Sequence, residues 1–280
     1  MAVRIITDSV SDLPGDLKSA YGIEVLPLMV NFGEVSYRDG IDLTPEAFFE
    51  KLKTAQTLPT TSQVNVGQFV ECFERVAEAG DEAVVITLSS KLSGTYSAAV
   101  TAAEEAGAGR ITVLDSKFVS FGQGLLVLKA AEMAREGMSR EDIVKACENL
   151  MGRLEMLIFV DTLTYLHKGG RLSAGQAVIG GLLSVKPILC VKDGALAPLD
   201  KVRGRNKTLK WFEQYLQEHA AEMSEESVGF FHAADPIFME EMIDVASSVI
   251  RPSGIHRSTV GAVVGTHSGP GCVAFAYFRK

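Results

Sequence analysis

Several devices by which proteins bind metals, cross-links and nucleotides are missing from this chain. Its four cysteines, Cys72, Cys147, Cys190 and Cys272, stand far apart with no CxxC and no paired spacing. That excludes a disulfide framework and a zinc knuckle, and it reads them as small buried apolar residues of a reducing compartment. No GxxxxGK[ST] occurs, so a P-loop is excluded, and neither G-x-S-x-G nor HExxH is present. The five histidines have no second ligand at helical spacing, which leaves no metal site to propose. No apolar run approaches ~18 residues, and residues 3–7 already read as a strand, so neither a membrane span nor a signal peptide is expected. The expectation is a cytoplasmic chain with at most transient membrane contact. Positive charge is also short: 27 Lys and Arg against 35 Asp and Glu give a net charge of -8. A nucleic-acid backbone is thereby excluded as the main partner. Gly269-Pro270-Gly271-Cys272-Val273-Ala274 fits G-x-G-x-x-A, but it runs into a terminal strand and lacks the acidic residue that a dinucleotide site needs.

What is present is apolar material for a large core. Of 280 residues, 47% are hydrophobic, enough at this length for two domains. Residues 3–7, 25–30, 83–86 and 111–115 read as short strands alternating with helices, the pattern of a mostly parallel sheet. Residues 37–43 read as an extended segment with a turn, and residues 58–65 as a hydroxyl-rich loop. After residue 152 the pattern changes. A strand at 157–160 precedes a loop or short helix closed by Gly169-Gly170, and Asp193-Gly194 between apolar runs signals a hairpin. The expected fold class is α/β with two domains: residues 1–152, a mostly parallel α/β sandwich, and residues 153–280, a mixed α/β domain.

Four features could carry chemistry. Hydroxyls crowd the stretch Thr87-Leu88-Ser89-Ser90-Lys91-Leu92-Ser93-Gly94-Thr95, which leads into a helix expected over residues 98–106. Free backbone N–H groups around Ser93, Gly94 and Thr95 suit an anion, and they equally suit a plain helix cap. His267, in the glycine-rich turn Gly265-Thr266-His267-Ser268-Gly269-Pro270-Gly271, reads as a structural histidine or as a residue near a ligand. Arg171 reads as an ion-pair partner or an anion ligand. Lys201, Arg203, Arg205, Lys207 and Lys210 form the only basic cluster, either a solvated helix start or a dock for an acidic partner or a phosphate.

Taken in series, Asp8-Ser9-Val10-Ser11-Asp12-Leu13, Tyr37-Arg38-Asp39-Gly40, Pro59-Thr60-Thr61-Ser62-Gln63, Leu92-Ser93-Gly94-Thr95-Tyr96, Gly169-Gly170-Arg171-Leu172-Ser173 and the segment around His267 resemble the DegV family. The characterised members of that family are the fatty-acid-binding (FakB) subunits of bacterial fatty acid kinase. The resemblance covers essentially the whole chain, with one departure: Val10 stands where the family usually has Thr or Ser. It implies two α/β domains with a long-chain fatty acid in a tunnel between them and no cofactor. It also implies a carboxylate held by Thr61, Ser62 and Ser93 with the backbone around Gly94 and Thr95, and a role there for His267. Arg203, and with it Arg171, would serve presentation to an ATP-dependent kinase partner that makes acyl phosphate and supplies phospholipid synthesis. Ile158, Phe159, Ile179, Leu182 and Leu183 are candidates for tunnel walls or for plain core.

Elementary energetics agree with such a ligand. Burying about fourteen methylenes at ~0.8 kcal/mol each gives roughly 11 kcal/mol before entropy losses, so the tail dominates affinity. Neutral hydroxyls at a helix start satisfy the carboxylate without shielding its oxygen from a kinase. Phosphoryl transfer needs a polyphosphate cradle and magnesium ligands, and the sequence shows neither motif, so the chain reads as a non-catalytic carrier subunit. Two rivals stand beside this reading. One is a serine esterase or thioesterase with Ser93 as nucleophile and His267 as base. The other is a regulatory binder of another amphiphilic carboxylate.

Overall fold

The computed structural model describes residues 2–106, 109–172 and 185–280. The chain opens with β1 (Val3–Asp8), a single 3-10 turn (Ser9–Ser11), α1 (Gly15–Tyr21) and β2 (Glu24–Leu26). It continues through β3 (Met29–Phe32), β4 (Val35–Arg38), α2 (Pro45–Thr54), β5 (Thr60–Ser62), α3 (Val66–Glu78), β6 (Glu82–Thr87), α4 (Thr95–Glu105) and β7 (Ile111–Asp115). Two helices follow, α5 (Phe121–Arg135) and α6 (Arg140–Arg153), and then β8 (Leu154–Phe159), α7 (Thr164–Lys168), β9 (Lys186–Lys192) and β10 (Ala195–Val202). The remainder is α8 (Arg205–His219), β11 (Val228–His232), α9 (Pro236–Val249), β12 (Ile255–Thr259), α10 (Ala262–Ser268) and β13 (Val273–Phe278).

Three sheets result. A parallel sheet has the order β2-β1-β6-β7, a mixed six-stranded sheet the order β10-β9-β8-β13-β11-β12, and a small antiparallel sheet the order β4-β3-β5. The alternating strands and helices of the first half thus give the expected parallel sheet, and the second sheet begins at Leu154. The third sheet departs from expectation. Residues 25–30 do not form one strand: β2 stops before Pro27, which has no N–H for a ladder, and the chain crosses into the antiparallel sheet at Met29. Residues 60–62, expected as loop, pair with β3 instead, setting Thr61 opposite Val30. The Asp193-Gly194 hairpin forms as expected, with both residues at positive φ (50° and 82°), the backbone of a type I′ turn.

α5 is the spine between the two large sheets. Its residues from Phe121 to Leu128 are all buried, and it packs against β1 and β6 on one side and β8, β11 and β13 on the other. Glycines permit this approach. A Cβ on Gly124 would stand 2.6 Å from Ser11 O, and one on Gly229 would stand 2.7 Å from the Phe121 ring. Such overpacking costs roughly 1–3 kcal/mol per site. One hydrophobic cluster runs through both sheets and around α5, and a second, with Phe159, Phe212, Phe230 and Phe275, lies on the far face of the six-stranded sheet under α8 and α9.

The four cysteines are all free thiols, with Cys72, Cys147 and Cys272 buried. Among the described residues no helix is long and apolar enough to cross a membrane, and no cluster of His, Cys, Asp and Glu could hold a metal.

Candidate functional site

Where α10, β8, the residues just before α5 and those just after β1 and β6 converge, the structure forms a pocket of about 360 Å³. That is within the roughly 300–1,000 Å³ usual for small-molecule sites. Its long walls are apolar: Val10, Leu28, Leu88, Met156, Ile158, Leu196, Phe231, Val260 and Val263 line it. β8 supplies its share by strand parity, since alternate side chains face opposite ways. Met156, Ile158 and, just beyond the strand, Val160 face the cavity. Leu157 and Phe159 face the second cluster, where Phe159 packs edge-on against Trp211 and Phe212. Of the expected wall residues, Ile158 therefore lines the cavity and Phe159 does not. Ile179, Leu182 and Leu183 lie outside the described residues.

The polar residues of the lining gather together. Thr61, Ser62, Gln63, Ser93, Gly94, Arg171 and His267 come from β5 and its exit, the start of α4, the turn after α7 and α10. Thr61 Oγ1 lies 2.9 Å from His267 Nε2, a contact spanning 206 positions of sequence. Ser62 Oγ accepts from Asn31 Nδ2 at 3.1 Å. α4 begins at Thr95, three residues before the expected start at Ala98, so its first helical bond runs from Ala98 N–H to Gly94 O at 3.0 Å. Ser93 Oγ accepts from Thr95 N–H at 3.3 Å and pairs with Thr95 Oγ1 at 3.0 Å. Thr95 itself is fully buried and absent from the cavity lining; it supports Ser93 from behind. Gly94 is close-packed under Gln63, whose Oε1 would stand 2.1 Å from an added Cβ.

His267 is in the last turn of α10, a short helix where a glycine-rich turn was expected. Burial, followed by the positive field of Arg171, holds its pKa down to about 4, so the ring is neutral at pH 7. Its Nδ1 is buried and without a hydrogen-bond partner among the described residues, pressed against Gly169, where a Cβ would come within 2.2 Å. A buried nitrogen tolerates missing a donor better than a buried N–H tolerates missing an acceptor. The neutral ring therefore carries its proton on Nε2, which donates to Thr61 Oγ1 and leaves the Thr61 hydroxyl proton to point at a ligand. Arg171 donates from Nε to Leu92 O at 3.1 Å and from Nη1 to Gly169 O at 2.7 Å, tying the α7 turn to the hydroxyl stretch. The cluster thus presents donors, as an acceptor head group requires.

This arrangement does not assemble a nucleophile and its base. His267 Nε2 is engaged with Thr61 rather than Ser93, no carboxylate among the described residues orients Nδ1, and a ring held near pKa 4 is a weak base. Arg203 is elsewhere, exposed in the turn between β10 and α8. Its neighbour Arg205 is committed to Glu241 at 2.7 Å. Outside the cavity, a surface cleft of about 640 Å³ is lined by residues that include Leu58, Lys168, Gly169 and Thr266. Thr61, Arg171 and His267 line both spaces.

Sequence reasoning missed Gln63 as a lining residue, along with the walls from Val10, Leu28, Met156, Phe231 and Val263. The parity of residues 156–160 was a readable signal for β8. The rest depend on how three sheets meet.

The chain matches, over residues 2–280, the model of a family described as uncharacterised proteins of the DegV family. A DegV domain-containing protein of Caldanaerobacter subterraneus is 40% identical over 278 residues, 99% of each chain. A solved structure described as showing fatty acid binding by a DegV family protein of Thermus thermophilus superposes with a TM-score of 0.93 at 33% identity, covering 100% of both chains. The structure of DegV from Bacillus subtilis, described as a fatty acid binding protein, superposes at 0.88 with 34% identity, again over 100% of both chains. This chain, with its parallel sheet, its mixed sheet and its apolar pocket, belongs to the DegV family.

Proposed function

We propose that this chain binds a long-chain fatty acid, tail in the apolar pocket and carboxylate against Thr61, Ser93 and the start of α4, and presents it to a separate ATP-dependent kinase. In this reading residues 1–152 carry the head-group loops and residues 153–280 close the acyl tunnel. The apolar walls supply affinity through the area that they remove from water. The Thr61 hydroxyl, oriented by His267, and the Ser93 hydroxyl, backed by Thr95, donate to the carboxylate oxygens. Arg171 adds a favourable field, with no carboxylate partner among the described residues. The fatty-acid binding of the DegV relatives supports the ligand class.

The observation that supports presentation is that Thr61, Arg171 and His267 line both the apolar pocket and the neighbouring cleft. A carboxylate held there lies one layer of side chains from the surface. In the partner's reaction a carboxylate oxygen attacks the γ-phosphorus of ATP, giving acyl phosphate and ADP. Exposed Arg203, with Lys201, Lys207 and Lys210 nearby in sequence, is the proposed contact for the kinase.

Native mass spectrometry of the purified protein, followed by organic extraction, tests the ligand. A stoichiometric C14–C18 fatty acid supports the carrier reading. An empty protein or a different bound amphiphile returns the function to a regulatory binder. Arg203→Ala is expected to leave fatty-acid affinity unchanged and to slow acyl-phosphate formation by the partner kinase; a wild-type rate removes Arg203 from presentation.

A further inference from the structure

Two of the sequence motifs take no part in the polar cluster at the cavity mouth, yet they converge on one place. Asp12, beyond the 3-10 turn after β1, accepts Gly261 N–H on Oδ1 at 2.8 Å. Asp39, beyond β4, accepts Ala262 N–H on Oδ1 at 2.9 Å. These amides open α10, the helix that ends with His267. The main chain of Asp12 also accepts the Ser258 hydroxyl, and its second carboxylate oxygen accepts that of Ser120. Asp39 Oδ2 accepts Ser9 Oγ at 2.8 Å. Both carboxyls are buried, and a Cβ on Gly261 would stand 2.7 Å from one and 3.2 Å from the other, so they face each other across a glycine.

We propose that Asp12 and Asp39 are positioning residues for the ligand head: they clamp the first turn of α10, and through it the seat of His267, and the clamp loosens when both are ionised. The proposal rests on the fatty-acid reading for its functional half only. Two buried carboxylates this close cannot both hold charge cheaply. Among the described residues neither forms a salt bridge; Lys18 of α1 acts on Asp39 only at a distance, and Arg257 of β12 is engaged by Glu240 at 2.8 Å. Asp8 of β1 adds a third buried carboxyl, and His232 of β11, which lines a surface cleft of about 480 Å³ together with Asp12 and Asp39, has its pKa lowered by burial. Burial accordingly raises Asp39 to about 6, Asp8 to about 7 and Asp12 well above the ordinary carboxyl range. The folded state then binds more protons than the unfolded one above pH 4, so this contribution to stability falls as pH rises through about 6 to 7.

The test compares wild type with Asp39→Asn, whose amide oxygen still accepts from Ala262 and whose NH₂ can donate to Ser9. Thermal unfolding is followed from pH 5 to 8.5, together with affinity for a fluorescent long-chain fatty acid. Wild-type affinity is expected to fall roughly fivefold or more between pH 6 and pH 8, the scale of ordinary coupling between sites. Asp39→Asn is expected to flatten both profiles and to bind more tightly than wild type at pH 8. Because ligand ionisation is common to both proteins, it cancels in the ratio. Asp39→Ala, which removes the acceptor, is expected to bind weakly at every pH while still unfolding cooperatively. Superimposable wild-type and Asp39→Asn profiles, or a folded Asp39→Ala with undiminished affinity, overturns the proposal. A wild type that binds no fatty acid at any pH removes the functional reading, and the unfolding profiles then decide the clamp by themselves.

Discussion

The two ends of α10 are built on opposite terms. At its start every polar group in view is answered: Gly261 and Ala262 N–H meet Asp12 and Asp39, and these meet Ser120 and Ser9. At its end His267 has one nitrogen engaged and one without a partner among the described residues, and beside it lies a pocket. Complete satisfaction in a buried place marks a joint that holds shape, and incomplete satisfaction beside an empty volume marks a place for something else. Seven residues of helix link the two, so the joint sets the geometry of the site.

Breaking the joint should have the largest effect. Asp12→Ala strands Gly261 N–H and the Ser120 hydroxyl, and the expected loss is about 2–5 kcal/mol in urea denaturation, since each buried orphan costs ~1–3 kcal/mol. A loss below 1 kcal/mol would mean that α10 is held elsewhere. Next comes Gly169→Ala, whose new methyl overlaps His267 Nδ1. It should cost about 1–2 kcal/mol of stability but a disproportionate share of fatty-acid affinity, because the ring must leave Thr61. An affinity loss no larger than the stability loss would count against the tautomer argument.

Smaller again is the pair Ser93→Ala with Thr61→Ala. Two neutral hydrogen bonds are worth roughly 1–3 kcal/mol together, a tenfold to hundredfold drop in affinity with the fold intact by circular dichroism. Unchanged affinity would move the carboxylate elsewhere.

The smallest effect sharpens the comparison through pH. His267, held near 4 in the folded state, takes up a proton more readily when unfolded, so its contribution to stability is lost as pH falls from 6.5 toward 4. The carboxyls at the other end of the helix pull the other way. His267→Gln should remove the acid-side loss while leaving the alkaline-side slope, and a midpoint-temperature profile from pH 4 to 8 reads both.

Much of the fold was legible because its signals are local. Alternating apolar strands and capped helices, with Thr44, Asn65 and Ser139 each accepting from the third amide onward, announce themselves within a few residues. The small antiparallel sheet was not legible, since β5 is three polar residues whose strand character comes from pairing with β3 and not from its own apolarity. The hydroxyl loops could not be read from their residues alone as cavity lining rather than caps, because Ser and Thr before a helix cap it as readily as they meet a ligand. That Thr61 faces His267, and that Asp39 faces Ala262, depends on contacts 206 and 223 positions apart, which no local pattern encodes. Whether Phe159 was wall or plain core stayed open in the sequence because β8 is apolar on both faces, and its two faces serve different cores.

The separation of Thr61 from His267 also has a consequence for the order in which the molecule is made. The hydroxyl loops, the parallel sheet and the spine helix leave the ribosome first, with an apolar groove along α5 that nothing yet covers. Only when the chain beyond position 267 has been synthesised and folded back can the Thr61–His267 contact form. Contacts of such long range are paid for late in folding, and until then the nascent chain is a sticky half-channel that depends on its own remaining residues to cap it.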